Sequence, residues 1–541
     1  MKLGFQQKSM NRPARDGGSM YARGPSINGL LKRPIFILFI VAFTAGLFIF
    51  RDYGFTWDEP LFYKYADALG YAYNPINWFS GHFDLNNSYG PSASDHKNRG
   101  PAYLLLAREP VYFIENFHVH TDDAWHLVNF LTFLLGVYFL YKTCERFMRP
   151  WAAFAASALF AFQPLLWGHA FINPKDSPFL VFLTGAVYLG FRMVDQLVET
   201  ESRSTFKTFL LILLPAFFIG IATSIRVLGP MAGLFVVIYF LTRHPTRRTI
   251  LWMLLYTLLS IVVMIATWPY LWESPLRFIQ VFQFMSDNPT TLQVLFAGQS
   301  YRAYDLPLRY LPFYLVFTLT EPVWPLFFLG LAAAYLKLKN DFRKLAQALL
   351  ILAWFVIPLA YDLWRRPPNF DGMRHFLFML PPLFIFAGFA FDFLFEKINK
   401  TWVRAALILI MLAPGVYGII QLHPYEYAYY NSFVGGTRGV FRSYETDYWL
   451  TCYKQAVEEF DQIAPRPATL YVHREAEVAA PYAANGINII DERTSFNQIH
   501  SGDYILVNSR TNEDRSTFRD APVILTVGRV GVPFCVIKKI P

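Results

Sequence analysis

The chain has 541 residues, of which 54% are hydrophobic, 18% aromatic and only 16% charged, whereas soluble domains are about 25% charged. This composition excludes a large soluble enzyme and indicates an integral membrane protein with many spans. The net charge of +9 would suggest a nucleic-acid partner in a soluble chain, but here the basic residues concentrate in short loops, so no nucleic acid is expected.

The first element is a basic tail, residues 1–33, followed by an apolar run from Pro34 to Phe50. Arg51 follows the run directly and no small-residue cleavage site is present, so we interpret the run as a retained membrane anchor. The excess of Lys and Arg in the tail predicts that the N-terminus is cytoplasmic.

Ten further charge-poor runs predict about eleven transmembrane helices between residues 34 and 421. These ten runs centre on residues 127–141, 151–168, 178–191, 208–225, 227–242, 249–268, 322–336, 345–361, 376–391 and 405–421. Glu321 interrupts an apolar stretch, which predicts a re-entrant or interfacial helix over 311–320. The loops that this count assigns to the cytoplasm are basic, and an odd number of spans places residues 422–541 outside it.

The segment 422–541 reads as a small extracytoplasmic α/β domain. Strands are predicted at 468–474, 487–491, 502–508 and 522–528, with a helix over 475–484. The segment has no glycine-rich phosphate loop, and its role is either structural or acceptor-binding. Cys452 and Cys535 lie here, and they could form a disulfide or remain free thiols.

The stretch "TWDEP", residues 56–60, places two adjacent carboxylates directly after the first apolar run. We expect Glu59 to be the N-cap residue and Pro60 the first residue of a helix that ends near Gly70, because the residue before a proline avoids the helical region. Asp58 is then not needed for capping, and the helix dipole favours its ionised form. Asp58 is therefore a candidate general base, although both carboxylates could serve only to start the helix.

Other charged residues lie in loops assigned to the same outer side. They are His96, Lys97 and Arg99 in "DHKNRGPAYLLLA" (95–107), Lys175 and Asp176 in "HAFINPKDSPF" (169–179), Arg226 between two apolar runs, and Arg374 and His375 in "DGMRHFLFMLPPL" (371–383). Each has an ordinary alternative, such as contact with lipid head groups, helix capping by Asp176, or snorkelling of Arg226. Together these cations and carboxylates suit an anionic lipid-linked substrate at the membrane surface.

Two segments after the last apolar run leave alternatives open. The Tyr-rich "HPYEYAYYNSFVGG" (423–436) fits an interfacial aromatic belt, or it could stack against sugars. The segment "YETDYW" (444–449) could supply carboxylates to a site or form a solvated loop.

These residues and runs carry a family resemblance over about residues 34–436. The chain resembles the polyprenyl-phosphate-sugar-dependent glycosyltransferases of the GT-C fold, which include protein O-mannosyltransferases and lipid A aminoarabinose transferases, and bacterial-type members look most similar. The resemblance rests on "TWDEP", "HKNRGPAYLLLA", "WHLVNFLTFLLGVYFLYKTCERF" (125–147), "FINPKDSPF", "IATSIRVLG" (221–229), "MRHFLF" and "HPYEYAYYN". It implies a GT-C membrane domain over 34–421, with its first outer loop at 51–125.

The resemblance also implies a mechanism. Asp58 would deprotonate an acceptor hydroxyl, with Glu59 supporting it, and the oxygen would attack the anomeric carbon in one inverting displacement. The leaving group would be a lipid phosphate, which requires cations and no proton donor. The candidate phosphate-binding residues are Lys97 and Lys175 foremost, then Arg226 and Arg374, with His96, Arg99, Asp176 and His375 in support.

A transporter or flippase of lipid-linked sugars is the alternative, and a non-catalytic scaffold is the third reading. A transporter is expected to place charges at mid-membrane, whereas these charges cluster at one face, which favours an enzyme. No cofactor is assigned, although some GT-C enzymes use a divalent cation such as Mg²⁺ or Mn²⁺.

The expected partners are a polyprenyl-phosphate-linked sugar, membrane lipids, and a glycan, lipid or protein acceptor. The C-terminal segment shows no counterpart of the sugar-binding repeats of eukaryotic protein mannosyltransferases, which argues against a protein acceptor. The expected location is a bacterial inner (plasma) membrane, with the endoplasmic reticulum second.

Overall fold

A computed structural model of the chain describes residues 34–91, 93–199, 204–287 and 290–541, and the predicted basic tail, residues 1–33, lies outside these ranges. Within them, helices of eight or more residues are labelled here in chain order. They are α1 Ile35–Ile49, α2 Glu59–Ala72, α3 Ala102–Glu115, α4 Thr121–Cys144, α5 Pro150–Ala161, α6 Pro164–Ile172, α7 Asp176–Glu199, α8 Thr205–Ile225, α9 Pro230–Leu241, α10 Arg247–Ala266, α11 Arg277–Asp287, α12 Tyr310–Phe317, α13 Val323–Leu338, α14 Phe342–Arg365, α15 Pro381–Lys397, α16 Thr401–Leu422 and α17 Cys452–Ile463.

Six of these helices are long and apolar enough to cross a membrane, and the bent pair α5–α6 amounts to a seventh. Three shorter apolar helices are α1, α9 and α13. Each of the eleven predicted apolar runs coincides with a helix or with the bent pair, and α12 occupies the predicted re-entrant stretch. That all eleven runs cross the membrane stays a prediction.

The bend of 65° between α5 and α6 has a local cause. Pro164 is the first residue of α6, where its missing N–H and its ring interrupt the helical hydrogen bonds. The Gln163 side chain satisfies nearby groups, since its amide donates to Thr320 Oγ1 at 2.7 Å and its carbonyl accepts from Thr320 N at 3.0 Å. The bend between α5 and α6 is therefore stabilised by hydrogen bonds.

Helix α7 is the central element of the bundle, with 94% of its apolar window buried. It packs against α4, α8 and α9, and its N-terminal half is apolar on nearly all faces, as expected for a helix surrounded by others. The loops that follow α1, α6, α8 and α14 meet at one end of the bundle, which we call the cleft end.

The C-terminal region contains a five-stranded mixed sheet in the order β4–β3–β5–β7–β6. Its strands are β3 Ala468–Val472, β4 Ile487–Asp491, β5 Tyr504–Asn508, β6 Val523–Arg529 and β7 Val532–Lys539; a separate hairpin earlier in the chain pairs β1 Gln293–Phe296 with β2 Gln299–Arg302. Strand β3 runs parallel to β4 and β5, and β7 runs antiparallel to β5 and β6.

The four predicted strands are present, whereas β7 and α17 were not predicted. The helix predicted over 475–484 is shorter, because Ala476–Ala479 is followed by a 3-10 turn that contains Pro481. Cys452 and Cys535 are buried free thiols in this structure.

Candidate active site

The start of α2 differs by one residue from the prediction. The helix begins at Glu59, Asp58 is its N-cap residue, and the helix continues past Gly70 to Ala72. The Glu59 carboxylate reaches back to accept the Thr56 backbone N–H at 2.7 Å, and this bond holds the turn one residue earlier. The Asp58 side chain makes no capping hydrogen bond, as expected, and is left available.

Glu59 does not share the surroundings of Asp58. It is fully buried, accepts a hydrogen bond from Tyr63 Oη at 2.5 Å and contacts His126 Nε2 at 3.1 Å. The expected support of the base by Glu59 stays a prediction, and in this structure its carboxylate anchors α2 to α4.

Asp58 lines an open cleft. The lining residues are Thr56, Asp58, Phe62, Arg99, Asn173, Pro174, Lys175, Asp176, Arg226, Arg374, His375 and Trp449. Seven of the residues proposed from the sequence thus meet in one cavity: Asp58, Arg99, Lys175, Asp176, Arg226, Arg374 and His375. The Asp58 side chain is 31% exposed, and its Oδ2 lies 2.5 Å from Arg374 Nη1.

The turn between α6 and α7 presents Lys175 and Asp176 to the cleft. Asn173 forms this turn, because its side-chain carbonyl accepts the backbone N–H groups of Lys175 at 3.1 Å and Asp176 at 2.7 Å. Arg226 had no nearby acid in the sequence, but the structure pairs its guanidinium with the Asp176 carboxylate. The loops after α6 and α8 are therefore joined by an ion pair.

Arg99 reaches the cleft from the loop before α3, where its Nε contacts Asp95 Oδ2 at 2.8 Å. The next residue, Gly100, lies directly against the Ser224 carbonyl near the end of α8, and a Cβ atom there would collide with it. A residue without a side chain therefore lets this loop approach α8 and brings Arg99 and Arg226 to the same cavity.

Arg374 begins a 3-10 helix, Arg374–Met379, and is only 5% exposed. Besides Asp58, its guanidinium contacts Asp371 Oδ2 at 3.1 Å and lies 4.7 Å from the Trp449 ring centroid. Burial and the surrounding cations lower the pKa of His375 well below its usual value, so His375 is neutral.

Lys97 and His96 are not brought to the cleft. Lys97 Nζ lies 5.8 Å from the Tyr270 ring centroid, and the Lys97 carbonyl accepts from Trp268 Nε1 at 3.0 Å. His96 is buried between the Phe62 and Tyr65 rings, and burial, with Arg99, lowers its pKa to about 4. Arg99 rather than Lys97 supplies the cation from this loop, because the turn points residues two positions apart in different directions.

Five lining residues were missed from the sequence as site residues: Thr56, Phe62, Asn173, Pro174 and Trp449. Thr56 and Asn173 stand inside the quoted motifs, so the turn-forming Asn-Pro pair was an available signal. Trp449 belongs to "YETDYW", which is buried rather than a solvated loop. The tyrosines of the 423–436 segment are also buried, which rules out both an exposed aromatic belt and an exposed sugar platform.

The cleft is electropositive, since four cations and two carboxylates line it. Burial alone would raise the pKa of Asp58, but Arg374, Arg99 and Lys175 together lower it below its usual value. Burial lowers the pKa of Lys175 well below its usual value, and Arg99 and Arg226 add to this effect, so an anion in the cleft would favour the protonated form of Lys175. Asp58 is therefore ionised at neutral pH, and the cavity favours an anion.

These residues do not fit a divalent cation. The two lining carboxylates, Asp58 and Asp176, each already pair with an arginine. In the part of the chain that the structure describes, no three His, Cys, Asp or Glu side chains are grouped to hold a metal ion.

Comparison with known proteins places this geometry in context. Residues 113–272 match the sequence model of a family described as dolichyl-phosphate-mannose-protein mannosyltransferase. The chain is also similar to the crystal structure of ArnT from Cupriavidus metallidurans in the apo state, with 13% identity, coverage of 93% of this chain and 98% of that one, and a TM-score of 0.50. The chain has the GT-C fold.

The chain is also similar in fold to a second solved structure. The oligosaccharyltransferase of Archaeoglobus fulgidus, tethered to an acceptor peptide, is 10% identical over 88% of this chain and 69% of that one, with a TM-score of 0.50. No curated protein sequence matches the chain. The family match and the GT-C fold together indicate an integral membrane protein with glycosyltransferase activity.

Proposed function

We propose that the chain transfers a sugar from a polyprenyl-phosphate donor to an acceptor hydroxyl, with inversion at the anomeric carbon and Asp58 as the general base. The observation that carries this proposal is a partly exposed aspartate in a cleft lined by four cations. The family described by a dolichyl-phosphate-mannose donor agrees with a lipid-phosphate substrate.

The cations suit a phosphate leaving group. As the sugar–phosphate bond breaks, negative charge grows on the phosphate, and fixed cations stabilise it without a proton donor. We propose Lys175, Arg226 and Arg374 as the main phosphate-binding residues, with Arg99 beside them. Among the described residues, no carboxylate lies within 4 Å of the Lys175 ammonium, so Lys175 is open to an incoming anion.

Arg374 connects the two halves of the proposed reaction. In the free protein it pairs with Asp58 and so weakens Asp58 as a base. A donor phosphate competes for the same guanidinium, and its arrival frees Asp58 to accept the acceptor's proton. Donor binding would thus activate the base in the same complex that holds the sugar.

The catalytic end of the molecule is proposed to face away from the cytoplasm. Basic loops at the other end of the helices support this orientation. A bacterial inner membrane is the proposed location, and glycans, lipids and protein hydroxyls are the candidate acceptors. The C-terminal sheet region would then be extracytoplasmic.

Transfer from a polyprenyl-phosphate sugar by purified protein in liposomes tests the proposal. We expect product from the wild type, with the anomeric configuration inverted by NMR, and loss of turnover in Asp58→Asn. Full turnover in a folded Asp58→Asn variant would exclude the base assignment. Movement of the lipid-linked sugar across the bilayer without any transfer would favour the flippase alternative.

A further inference from the structure

Arg510 follows strand β5 of the C-terminal sheet and is only 2% exposed. Its backbone N–H donates to Asn508 Oδ1 at 2.6 Å, which fixes the turn after the strand. A guanidinium buried in this way is costly unless its donors are satisfied. Its partners therefore indicate what the side chain does.

The partners of the Arg510 guanidinium all lie far from it in sequence. Nη2 donates to Asp371 Oδ1 at 2.7 Å, Nε to Glu445 Oε1 at 3.1 Å, and Nη1 to the Tyr448 carbonyl at 2.9 Å. Burial, against the opposing effect of Arg510, raises the pKa of Glu445 to about 7. Burial also raises the pKa of Asp371, and Arg510 and Arg374 oppose this effect. Asp371 is the nearer of the two carboxyls and also contacts Arg374, so we take it as the main anion that Arg510 neutralises.

Asp371 links Arg510 to the cleft. Its second oxygen, Oδ2, lies 3.1 Å from Arg374 Nε, and Arg374 Nη1 lies 2.5 Å from Asp58 Oδ2. A second route runs through Trp57, whose ring centroid lies 4.4 Å from the Arg510 guanidinium and which directly precedes Asp58. Arg510 thus reaches the candidate base both through charges and through packing.

We propose that Arg510 is a positioning residue for the Asp58–Arg374 pair, so that the C-terminal region completes the candidate active site. This inference rests on the proposed function. By neutralising Asp371, Arg510 leaves Arg374 able to face Asp58 and an incoming phosphate. Without Arg510, the uncompensated Asp371 carboxylate would draw Arg374 away from both.

The test compares Arg510→Gln, Arg510→Lys and the matched control Arg493→Gln. Arg493 is an arginine of the same region, half-exposed and paired with Asp491 at 2.6 Å. We expect Arg510→Gln to lower kcat about 100-fold, as a small misplacement of reacting groups does. It should also move the acidic limb of the kcat/KM profile to higher pH, because Asp58 loses its cation. Arg510→Lys keeps the positive charge but not the several N–H donors of the guanidinium, so its kcat should be intermediate. Arg493→Gln should have the kcat of the wild type.

A double variant separates positioning from folding. If the unneutralised Asp371 misplaces Arg374, then Asp371→Asn in the Arg510→Gln background should restore kcat by about tenfold, since the two residues act through one contact. A merely structural role predicts that the second substitution makes the protein worse. An unmoved acidic limb in folded Arg510→Gln, or no recovery in the double variant, would overturn the proposal.

Binding of undecaprenyl phosphate keeps this test separate from the proposed function. Arg374 also serves the phosphate, so Arg510→Gln should weaken that binding and the double variant should recover it, whether or not sugar is transferred. If the wild type transfers no sugar but shows this binding pattern, the proposed function fails and the positioning role stands. Equal binding by all variants would contradict the positioning role alone.

Discussion

The two ends of the helical bundle carry the same kinds of charged side chain in different arrangements. At the end opposite the cleft, two aspartates are each shared by two cations from other elements. These pairs are Asp195 with Arg146 and Arg243, and Asp392 with Arg149 and Lys337. There each carboxylate ties helices together and its charge is fully matched.

In the cleft itself the charges are not matched in this way. Asp58 is 31% exposed to a cavity, whereas Asp392 is only 2% exposed. Lys175 lines the same cavity, and its ammonium lies 5.6 Å from the Phe62 ring centroid. A count of charges therefore does not identify a functional site. Unbalanced charge that faces a shared cavity does, because that charge can act on a ligand.

The same substitution at both ends should produce the largest difference in transfer rate between them. Asp58→Asn removes the proposed base, so we expect the transfer rate to fall about 100- to 10,000-fold, the usual contribution of a positioned base. Asp392→Asn leaves Arg149 and Lys337 without their common partner, which should lower the unfolding temperature and leave the rate per folded molecule unchanged. Rates in liposomes and thermal unfolding in detergent measure both, and similar rate losses at the two ends would contradict the comparison.

Removing a lysine at each end should have the next largest effect. Lys175→Gln takes away a cation open to the donor phosphate, so we expect undecaprenyl phosphate to bind about 10- to 100-fold more weakly, as loss of a charged hydrogen bond implies. Lys337→Gln is the matched control and should bind like the wild type. Titration calorimetry of both variants measures this, and equal affinities would remove Lys175 from the phosphate site.

The pH dependence should distinguish the free protein from its donor complex. Arg374, Arg99 and Lys175 hold the pKa of Asp58 below its usual value, and an ionised base is lost only as pH falls through that lowered pKa. The limb of kcat/KM, which reports the free protein, should therefore lie in the acidic range. The limb of kcat should lie at higher pH, because the donor phosphate takes Arg374 and raises the pKa of Asp58. If the acidic limb of kcat lies at lower pH than that of kcat/KM, Arg374 does not leave Asp58 for the donor phosphate.

The smallest effect is expected for Lys97, which is close in sequence to the cleft residue Arg99 but does not itself line the cleft. Lys97→Gln should change donor affinity by less than about twofold, because exposed or half-exposed charges contribute little. Arg99→Gln, two residues away, should weaken the affinity severalfold. If the two variants behave in the opposite way, the sequence expectation for Lys97 is right and the assignment of Arg99 is wrong.

Much of the fold follows from local sequence signals. The apolar runs predicted the long helices, and the alternation after residue 421 predicted four of the five C-terminal strands. The site was partly predictable for the same reason, since Asp58, Lys175 and Asp176 each lie in a turn whose conformation is set by neighbouring residues. These turns are local structures, so one sequence is enough to identify them.

The remainder depends on contacts between distant residues. The Arg374–Asp58 bond joins residues 316 positions apart, and the Arg510–Asp371 bond joins residues 139 positions apart. Nothing near Arg510 in the sequence marks it as part of a site. The sequence also could not show that Asp58 faces the cleft while Glu59 is buried. Adjacent residues at a helix start point in different directions, and the position of α4 decides which of the two is buried.

The contact between Arg510 and Asp371 has a consequence for the order of synthesis. Asp58 emerges early from the ribosome, and Arg510 follows 452 residues later. At roughly 5–20 residues per second, this interval is about 20–90 seconds. During that time the membrane helices can insert while Asp371 still lacks its arginine. The nascent chain would therefore hold an immature, idle cleft, and sugar transfer would begin only when the last strands fold onto the bundle.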